Sequence, residues 1–378
     1  MEINYRICSK TIMDTTADPD IEFDENGVSN YVKKYNAFVQ TRIPSDKDAP
    51  LLLNHIVEQI KEKGKNSEYD CILGVSGGVD STYTAYYAKK ILGLRPLAVH
   101  MDNGWNSELA VSNIEKILKK LDIELHTEVL DWDEFKDIQL SFLKASTPDG
   151  EVPTDHAIWG VLYRVAAKYN IKYIISGTNA RTEGILPRSW AQGHIDTAYL
   201  KDIQSTFGTK SVKHFPLLSP LHLFYYIALK RIKKVNLLDY IHYSKKEAMR
   251  VLIDELGWVY YGGKHYESVY TRFFQGYILP KKFNIDKRRA HLSTLVCAGE
   301  ITREEALTEI AKPEYPSDDM LKQDMIFVKK KFGLSEDEFE NIIKSPAKKY
   351  TDYRNYKKTI DRLLTIYKKL FASANTQD

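Results

Sequence analysis

Ser76, Gly77, Gly78, Val79, Asp80 and Ser81 set two hydroxyls, two glycines and a carboxylate side by side. Adjacent glycines let a chain turn tightly, so that consecutive N–H groups converge on one anion. Ser76 and Ser81 add hydroxyl donors. Asp80 places a carboxylate where a metal ion or a hydrogen-bond orienter is useful. The apolar run before the turn, residues 71–75, reads as a buried strand, and Ser81 to Gly93 reads as an amphipathic helix. Strand, glycine turn and helix start are the layout of a nucleotide phosphate cradle. The plainer alternative is a Gly-Gly turn with no ligand. No lysine follows the second glycine, so the G-x-x-x-x-G-K-[ST] loop is absent, and so is G-x-G-x-x-G.

The pattern S-G-G-x-D-S resembles the signature of the ATP pyrophosphatase (PP-loop) family. The resemblance implies that Ser76, Gly77, Gly78, Val79, Asp80 and Ser81 hold the β,γ-pyrophosphate of ATP while the α-phosphate is attacked. AMP and pyrophosphate are then the products, with Asp80 and Ser76 catalytic and Mg²⁺ accompanying the nucleotide.

Other stretches carry chemistry of their own. Met101 to Trp105 ends a second strand, and by the same resemblance Asp102 faces the adenosine; turn chemistry alone also accounts for Asp-Asn-Gly. Ser176 to Gly184 ends a further strand. Gly177 allows close backbone approach there, Thr178 and Asn179 supply short polar groups, and Glu183 is a candidate ligand for Mg²⁺ beside Asp80. A structured polar loop explains each of these equally well. Thr154 reads as an N-cap and Asp155 as a carboxylate favoured by a helix dipole, with His156 a weak candidate. A basic and aromatic constellation follows, with Lys264, His265, Arg272, Lys281, Lys282, Lys287, Arg288, Arg289 and His291. Lys264 and Arg272 are candidates to neutralise the leaving pyrophosphate. His265, Lys281, Lys282 and Arg288 are candidates to grip an anionic substrate. A solvated positive surface is the competing reading.

The elements that position these residues alternate from residue 70. Strands are expected at 71–75, 96–101, 123–129 and 172–176, separated by helices near 107–121, 131–145 and 154–169. That order predicts an α/β fold: a twisted parallel sheet with helices on both faces, like that of the adenine nucleotide alpha hydrolases. The loops 76–81, 101–106 and 177–190 then fall at the carboxyl ends of strands, where such sheets bind ligands. Residues 1–50 read as an irregular N-terminal module with at most a small hairpin, 51–215 as the nucleotide domain, and 216–378 as a helical substrate- or partner-binding region. Within that last region helices are expected at 220–243, 244–256, 265–279, 286–298, 302–311, 317–331, 335–343 and 350–371. The apolar stripe of the last one is Ile360, Leu363, Leu364, Tyr367 and Leu370.

The chain of 378 residues is 43% hydrophobic and 28% charged, an ordinary globular composition. A net charge of +3 gives no electrostatic case for nucleic acid. No apolar run is long enough to insert across a membrane, and the start of the chain has no secretory pattern. Cys8, Cys71 and Cys297 form no C-x-x-C pair. A reducing cytoplasm is expected.

A narrower resemblance rests on Cys8 to Thr16, Phe23 to Val28, Gly74 to Ser81, Ser176 to Gly184 and His265 to Arg288. These are similar to the N-acetyl sugar amidotransferases of bacterial surface-polysaccharide and lipopolysaccharide pathways, over roughly residues 5 to 310. The resemblance implies conversion of an acetamido group on a sugar, free or nucleotide-linked, into an acetamidino group. Relatives carry two cysteine pairs in the N-terminal module. Here Thr11, Ser29 and Val32 stand where three of those cysteines would be, beside Cys8. One thiolate cannot hold a structural zinc, so the module is expected to be a metal-free, degenerate ribbon held by packing. Neither Cys8, Cys71 nor Cys297 is placed for a glutaminase, and Glu2 follows Met1. The resemblance implies a separate glutaminase subunit as the source of ammonia. Two alternatives stay open: a tRNA-modifying PP-loop enzyme, and a non-catalytic nucleotide-binding module.

Overall fold

The computed structural model describes residues 5–18, 20–263, 266–359 and 361–362. Its centre is a five-stranded parallel sheet with β1 (Cys71–Gly74), β2 (Pro96–Asp102), β3 (Glu124–Val129), β4 (Tyr173–Ser176) and β5 (Lys233–Asn236) in the order β3-β2-β1-β4-β5. Register pairs Ile72 with Leu97 on one side and with Ile174 on the other. The side chains alternate. Ile72, Leu97, Val99 and Ile174 enter one hydrophobic core, while Cys71, Leu73, Ala98 and Ile175 enter a second on the opposite face. Cys71, Ile72 and Leu73 are all buried, because the sheet is covered on both faces, which is why this run carries no polar alternation.

Ahead of the sheet lie α1 (Asn30–Arg42) and α2 (Ala49–Gly64). After β1 comes α3 (Val79–Tyr86), widened by a π-turn over Tyr87–Ile91, and α4 (Glu108–Leu121) joins β2 to β3. Between β3 and β4 stand α5 (Trp132–Ala145) and α6 (Val152–Lys168). Leading to β5 are α7 (Ala180–Glu183), α8 (Thr197–Phe207) and α9 (Pro220–Phe224), the last continued by a π-turn over Tyr225–Leu229. Beyond the sheet are α10 (Lys245–Leu256), α11 (Val269–Phe273), α12 (Leu279–Phe283), α13 (Lys287–Cys297), α14 (Arg303–Ile310), α15 (Asp318–Phe332) and α16 (Glu336–Lys344).

The expected parallel α/β sheet is present, with three differences around it. Residues 220–243 are not one helix. The helix stops by Leu229, and β5 pairs with β4, so the sheet runs past residue 215. Ile232 and Val235 are buried there, and the open edge of β4 offered backbone partners that a helix does not need. The N-terminal fifty residues hold α1, whose buried residues are only Tyr31, Val32 and Tyr35, too few for a clear stripe in sequence. The expected helix over 350–371 is preceded by a short 3₁₀ turn, Tyr350–Asp352, and the described residues there are helical only from 357; the stripe from Ile360 to Leu370 lies outside the described residues.

The N-terminal module is built from two tight bridges, Ile7 with Asp14 and Phe23 with Ser29. Cys8 is fully buried and its sulfur accepts the Ser29 N–H at 3.2 Å. Burial pushes that thiol up, but hydrogen bonds from Ser29 and Thr11 outweigh it and hold the group below its ordinary value. Arg303 donates to the carbonyls of Cys8 and Thr11, and Arg289 pairs with Asp14 at 2.8 Å. These contacts fasten the module to α13 and α14.

Candidate active site

Strand order reverses between β1 and β4, so the crevice at their carboxyl ends is the switch point at which such sheets receive ligands. Two loops meet there. Gly77 has φ +81°, and a Cβ on it would lie 2.8 Å from the Ala110 carbonyl oxygen of α4. Only glycine suits both conditions. The Ser76 N–H donates to Ser81 Oγ at 3.2 Å, the Gly78 N–H to Ser76 Oγ at 3.3 Å, and Ser81 Oγ to the Gly78 carbonyl at 3.2 Å. The loop is thus braced by its own hydroxyls. The start of α3 has no side-chain cap, so its first-turn N–H groups are left without a capping side chain.

From β4 comes Gly177, whose hypothetical Cβ would sit 2.9 Å from the backbone of Asp80 and from the Ser81 nitrogen. Glycine at 177 lets the second loop lie directly on the start of α3. Thr178 is exposed beside it, with its hydroxyl 2.9 Å from Ser176 Oγ. Asn179 is buried and accepts the Thr182 N–H at 2.9 Å, so its side-chain oxygen caps α7. Glu183, at the end of α7, is exposed and close enough for its charge to act on Tyr243 and Lys234.

Four residues around this cradle were not foreseen from sequence. The Tyr243 hydroxyl donates to Asp80 Oδ1. Burial, then the Asp80 charge and hydrogen bond, hold that phenol far above its usual range, so it remains a donor. Trp258 Nε1 donates to the Gly77 carbonyl at 3.0 Å. The Tyr261 hydroxyl lies 3.3 Å from where a Gly78 Cβ would be, and burial together with the charges of Glu267 and Asp80 raises its pKa. Glu267 is fixed in place because the Ser107 N–H donates to its carbonyl at 2.8 Å and the Val269 N–H donates to the Trp105 carbonyl at 2.9 Å. The aromatic run Trp258 to Tyr261, followed by Gly262 and Gly263, was the available signal for two of them.

Asp102, at the end of β2, accepts the Gly104 N–H at 2.8 Å and the Asn106 amide at 3.3 Å, which shapes the loop beside the cradle. Lys331 of α15 donates to the Gly104 carbonyl while its ammonium stands 5.0 Å from the Trp105 ring centroid and 4.6 Å from that of Trp132. Asn103 reaches Thr154 Oγ1 at 3.3 Å. Thr154 is therefore not the cap of α6, which starts earlier without a side-chain cap. His156 is fully buried and accepts the Leu218 N–H at 2.8 Å; burial lowers its pKa to about 4. It serves the core. Its neighbour His194 bridges Asp149 at 2.9 Å and Asp155 at 2.8 Å.

The structure distributes the basic residues widely. Arg272 forms a two-point ion pair with Asp324, at 2.7 and 2.8 Å, and stacks on Tyr266. Lys282 donates to carbonyls at the end of α16, and burial lowers its pKa to about 8. Arg288 is held by Asp286 and by the carbonyls of Lys312 and Pro313. These three engage internal partners, which their spacing in sequence did not reveal. Lys281 is exposed on α12. Lys264 and His265 lie outside the described residues.

Among the described residues no group of three His, Cys, Asp or Glu side chains could hold a metal by itself. A magnesium ion carried by ATP does not need one, since it usually takes one or two carboxylates plus phosphate oxygens and water. Asp80 at the cradle meets that requirement.

Comparison with known proteins divides the chain in two. Residues 52–197 match the family described as NAD synthase, and residues 267–369 match the C-terminal domain of LPS biosynthesis protein WbpG-like proteins. A GMP synthase [glutamine-hydrolyzing] from Pyrobaculum aerophilum is 26% identical over 57% of this chain and 41% of its own length. One of the subunits of a GMP synthase [glutamine-hydrolyzing] from Sulfurisphaera tokodaii is 30% identical over 40% of this chain and 38% of its own. An uncharacterized protein from Methanocaldococcus jannaschii is 26% identical over 70% of this chain and 80% of its own. The chain thus spans less than half the length of the two synthases.

Proposed function

We propose that this chain, a member of the PP-loop ATP pyrophosphatase superfamily with a WbpG-like C-terminal domain, is an ATP-dependent amidotransferase. It activates the carbonyl oxygen of an acetamido group on a sugar and replaces that oxygen with ammonia. The observation that carries the reading is the Ser76–Ser81 cradle, lysine-free and open at the start of α3, in a chain whose C-terminal region is WbpG-like.

An amide is a poor electrophile and its oxygen a poor leaving group. Attack of that oxygen on the α-phosphate makes an imidate ester of AMP and releases pyrophosphate. Ammonia adds to the activated carbon, and AMP departs with the original amide oxygen. The cradle's N–H and hydroxyl groups hold the β,γ-phosphates in line with the attacking oxygen. Asp80, held by Tyr243, would hold the magnesium ion that accompanies ATP, which would supply charge neutralisation at the phosphates. Gly177, Thr178 and Asp102 lie along the strand ends where the nucleoside would rest. The walls formed by Trp258, Tyr261 and Glu267 exclude water that would hydrolyse the imidate. Lys281 and Lys264 with His265 remain candidates for an anionic substrate. Ammonia would come from a separate glutaminase, an arrangement supported by the Sulfurisphaera tokodaii relative, whose synthase is divided into subunits. We place the reaction in the cytoplasm.

The test is incubation with ATP, Mg²⁺, an ammonium salt and acetamido sugars. Formation of AMP together with a sugar lighter by about one mass unit supports the reading, and Asp80→Ala and Ser76→Ala abolish both. AMP with every sugar unchanged sinks it.

A further inference from the structure

The π-extended helix α9 is built the wrong way round for a surface helix. No charged residue stands between Ser219 and Lys230, and none of its residues is buried. Tyr226 and Leu223 pack inward, with Tyr226 stacked on Tyr163 of α6 at 5.5 Å. The outer face carries Leu221 at 79% exposure, Phe224 at 60% and Leu229 at 65%, with Tyr225 and Ile227 beside them. A helix apolar on all sides ordinarily lies in a core, so this one calls for a cover.

Charge around the ridge narrows what the cover is. From Lys213 to Leu238 the chain has five Lys/Arg and no Asp or Glu. Lys230 and Arg231 follow the helix directly, and Lys172, just before β4, stands near them. Lys172 feels Lys230, Arg231 and Lys63 as repelling neighbours after its own burial, and these lower its pKa. A second copy docked through this segment would bring a basic rim with no acidic residue in the segment to meet it. A convex apolar ridge above a collar of lysines instead matches the depth profile of an anionic bilayer: side chains at the acyl boundary, ammonium groups at the phosphates. The collar sits where α9 and α6 lead into the amino ends of β5 and β4, the opposite edge from the cradle, so a docked molecule keeps its crevice open. Among the described residues no helix is long and apolar enough to cross a membrane, so the contact is interfacial.

We propose that the α9 ridge, with Lys172, Lys230 and Arg231, docks the protein reversibly on anionic membrane surfaces. The inference does not rest on the sugar reaction.

The experiment is co-sedimentation of the full chain with vesicles of phosphatidylcholine alone or mixed with phosphatidylglycerol, over a range of salt. Binding is expected only to the anionic vesicles, weakened at least tenfold by high salt, by Lys230→Glu/Arg231→Glu and by Leu221→Ser/Phe224→Ser. Far-ultraviolet circular dichroism and ATP binding check that each variant is folded. No anionic-vesicle binding by the parent, or undiminished binding by the folded ridge variant, overturns the proposal. So does a concentration-dependent dimer that the ridge variant abolishes in the absence of vesicle binding, which would assign the face to a second copy. Loss of vesicle binding with AMP formation intact separates this proposal from the amidotransferase reading.

Discussion

The hydroxyl of Tyr243 donates to Oδ1 of Asp80 across 163 residues of chain, tying the segment after β5 to the floor of the phosphate cradle. Tyr243 is 2% exposed, so no water replaces that donor when it is removed. Tyr243→Phe leaves Asp80 free to turn from the phosphates. A hydrogen bond to a charged group is worth about 1.5–3 kcal/mol of stability, so the melting temperature should fall, and the KM for ATP should rise as Asp80 loses its orientation. Initial rates across an ATP series measure this. An unchanged KM would remove Tyr243 from the site.

Gly177 makes the second prediction. A methyl group there meets Asp80 and Ser81 backbone at 2.9 Å, and backbone cannot swing aside as a flexible side chain can. Gly177→Ala should lower kcat/KM for ATP about tenfold or more by displacing the cradle. Gly77→Ala adds a left-handed residue to a contact with Ala110, and strain of that kind costs about 1–2 kcal/mol in stability. ATP titration and thermal unfolding separate the two effects.

Much of this arrangement is legible in sequence, for a local reason. Cys71 to Ser81 forms its strand, turn and helix from neighbours in sequence, and β1, β2 and β4 announce themselves through their own apolar runs. What escaped depends on meetings at a distance. Tyr243 and Glu267 are ordinary residues until the chain returns to β1 and β2. Arg272 looks free until Asp324 pairs with it. The helical reading of 220–243 failed because the run Pro220 to Leu229 is helical, whereas Lys233–Asn236 takes its conformation from the edge of β4.

Lys331 supplies a third test. Its ammonium lies over Trp105 and Trp132 and donates to the Gly104 carbonyl, joining α15 to the loop of Asp102. Lys331→Met keeps most of the volume and removes the charge. A cation–π contact of this partly buried kind is worth about 0.5–2 kcal/mol, so a destabilisation of that order is expected in urea unfolding. A weaker affinity for AMP should accompany it, read by calorimetry.

The pH dependence of stability follows from two histidines with opposite signs. Burial opposes charge on His194, but Asp149 and Asp155 outweigh it and raise its pKa to about 11. Its stabilising contribution is complete below the unfolded value near 6.5 and declines as pH rises from there toward 11. Burial holds His156 neutral with a pKa near 4, so its contribution is complete above 6.5 and is lost as pH falls through 4. His194→Gln should therefore cost most near pH 6 and progressively less by pH 9 in a thermal-unfolding series, about 1 kcal/mol or less in all, because the side chain is 36% exposed and solvent screens the pair. A destabilisation that is constant across pH would contradict the assignment.

The most direct measurement of the central claim follows the amide oxygen. An acetamido sugar carrying heavy oxygen in its carbonyl is incubated with the protein, ATP, Mg²⁺ and an ammonium salt, and the nucleotide product is weighed by mass spectrometry. Activation at the α-phosphate predicts AMP that carries the heavy oxygen, formed together with unlabelled pyrophosphate. Unlabelled AMP, or ADP in its place, would contradict the account.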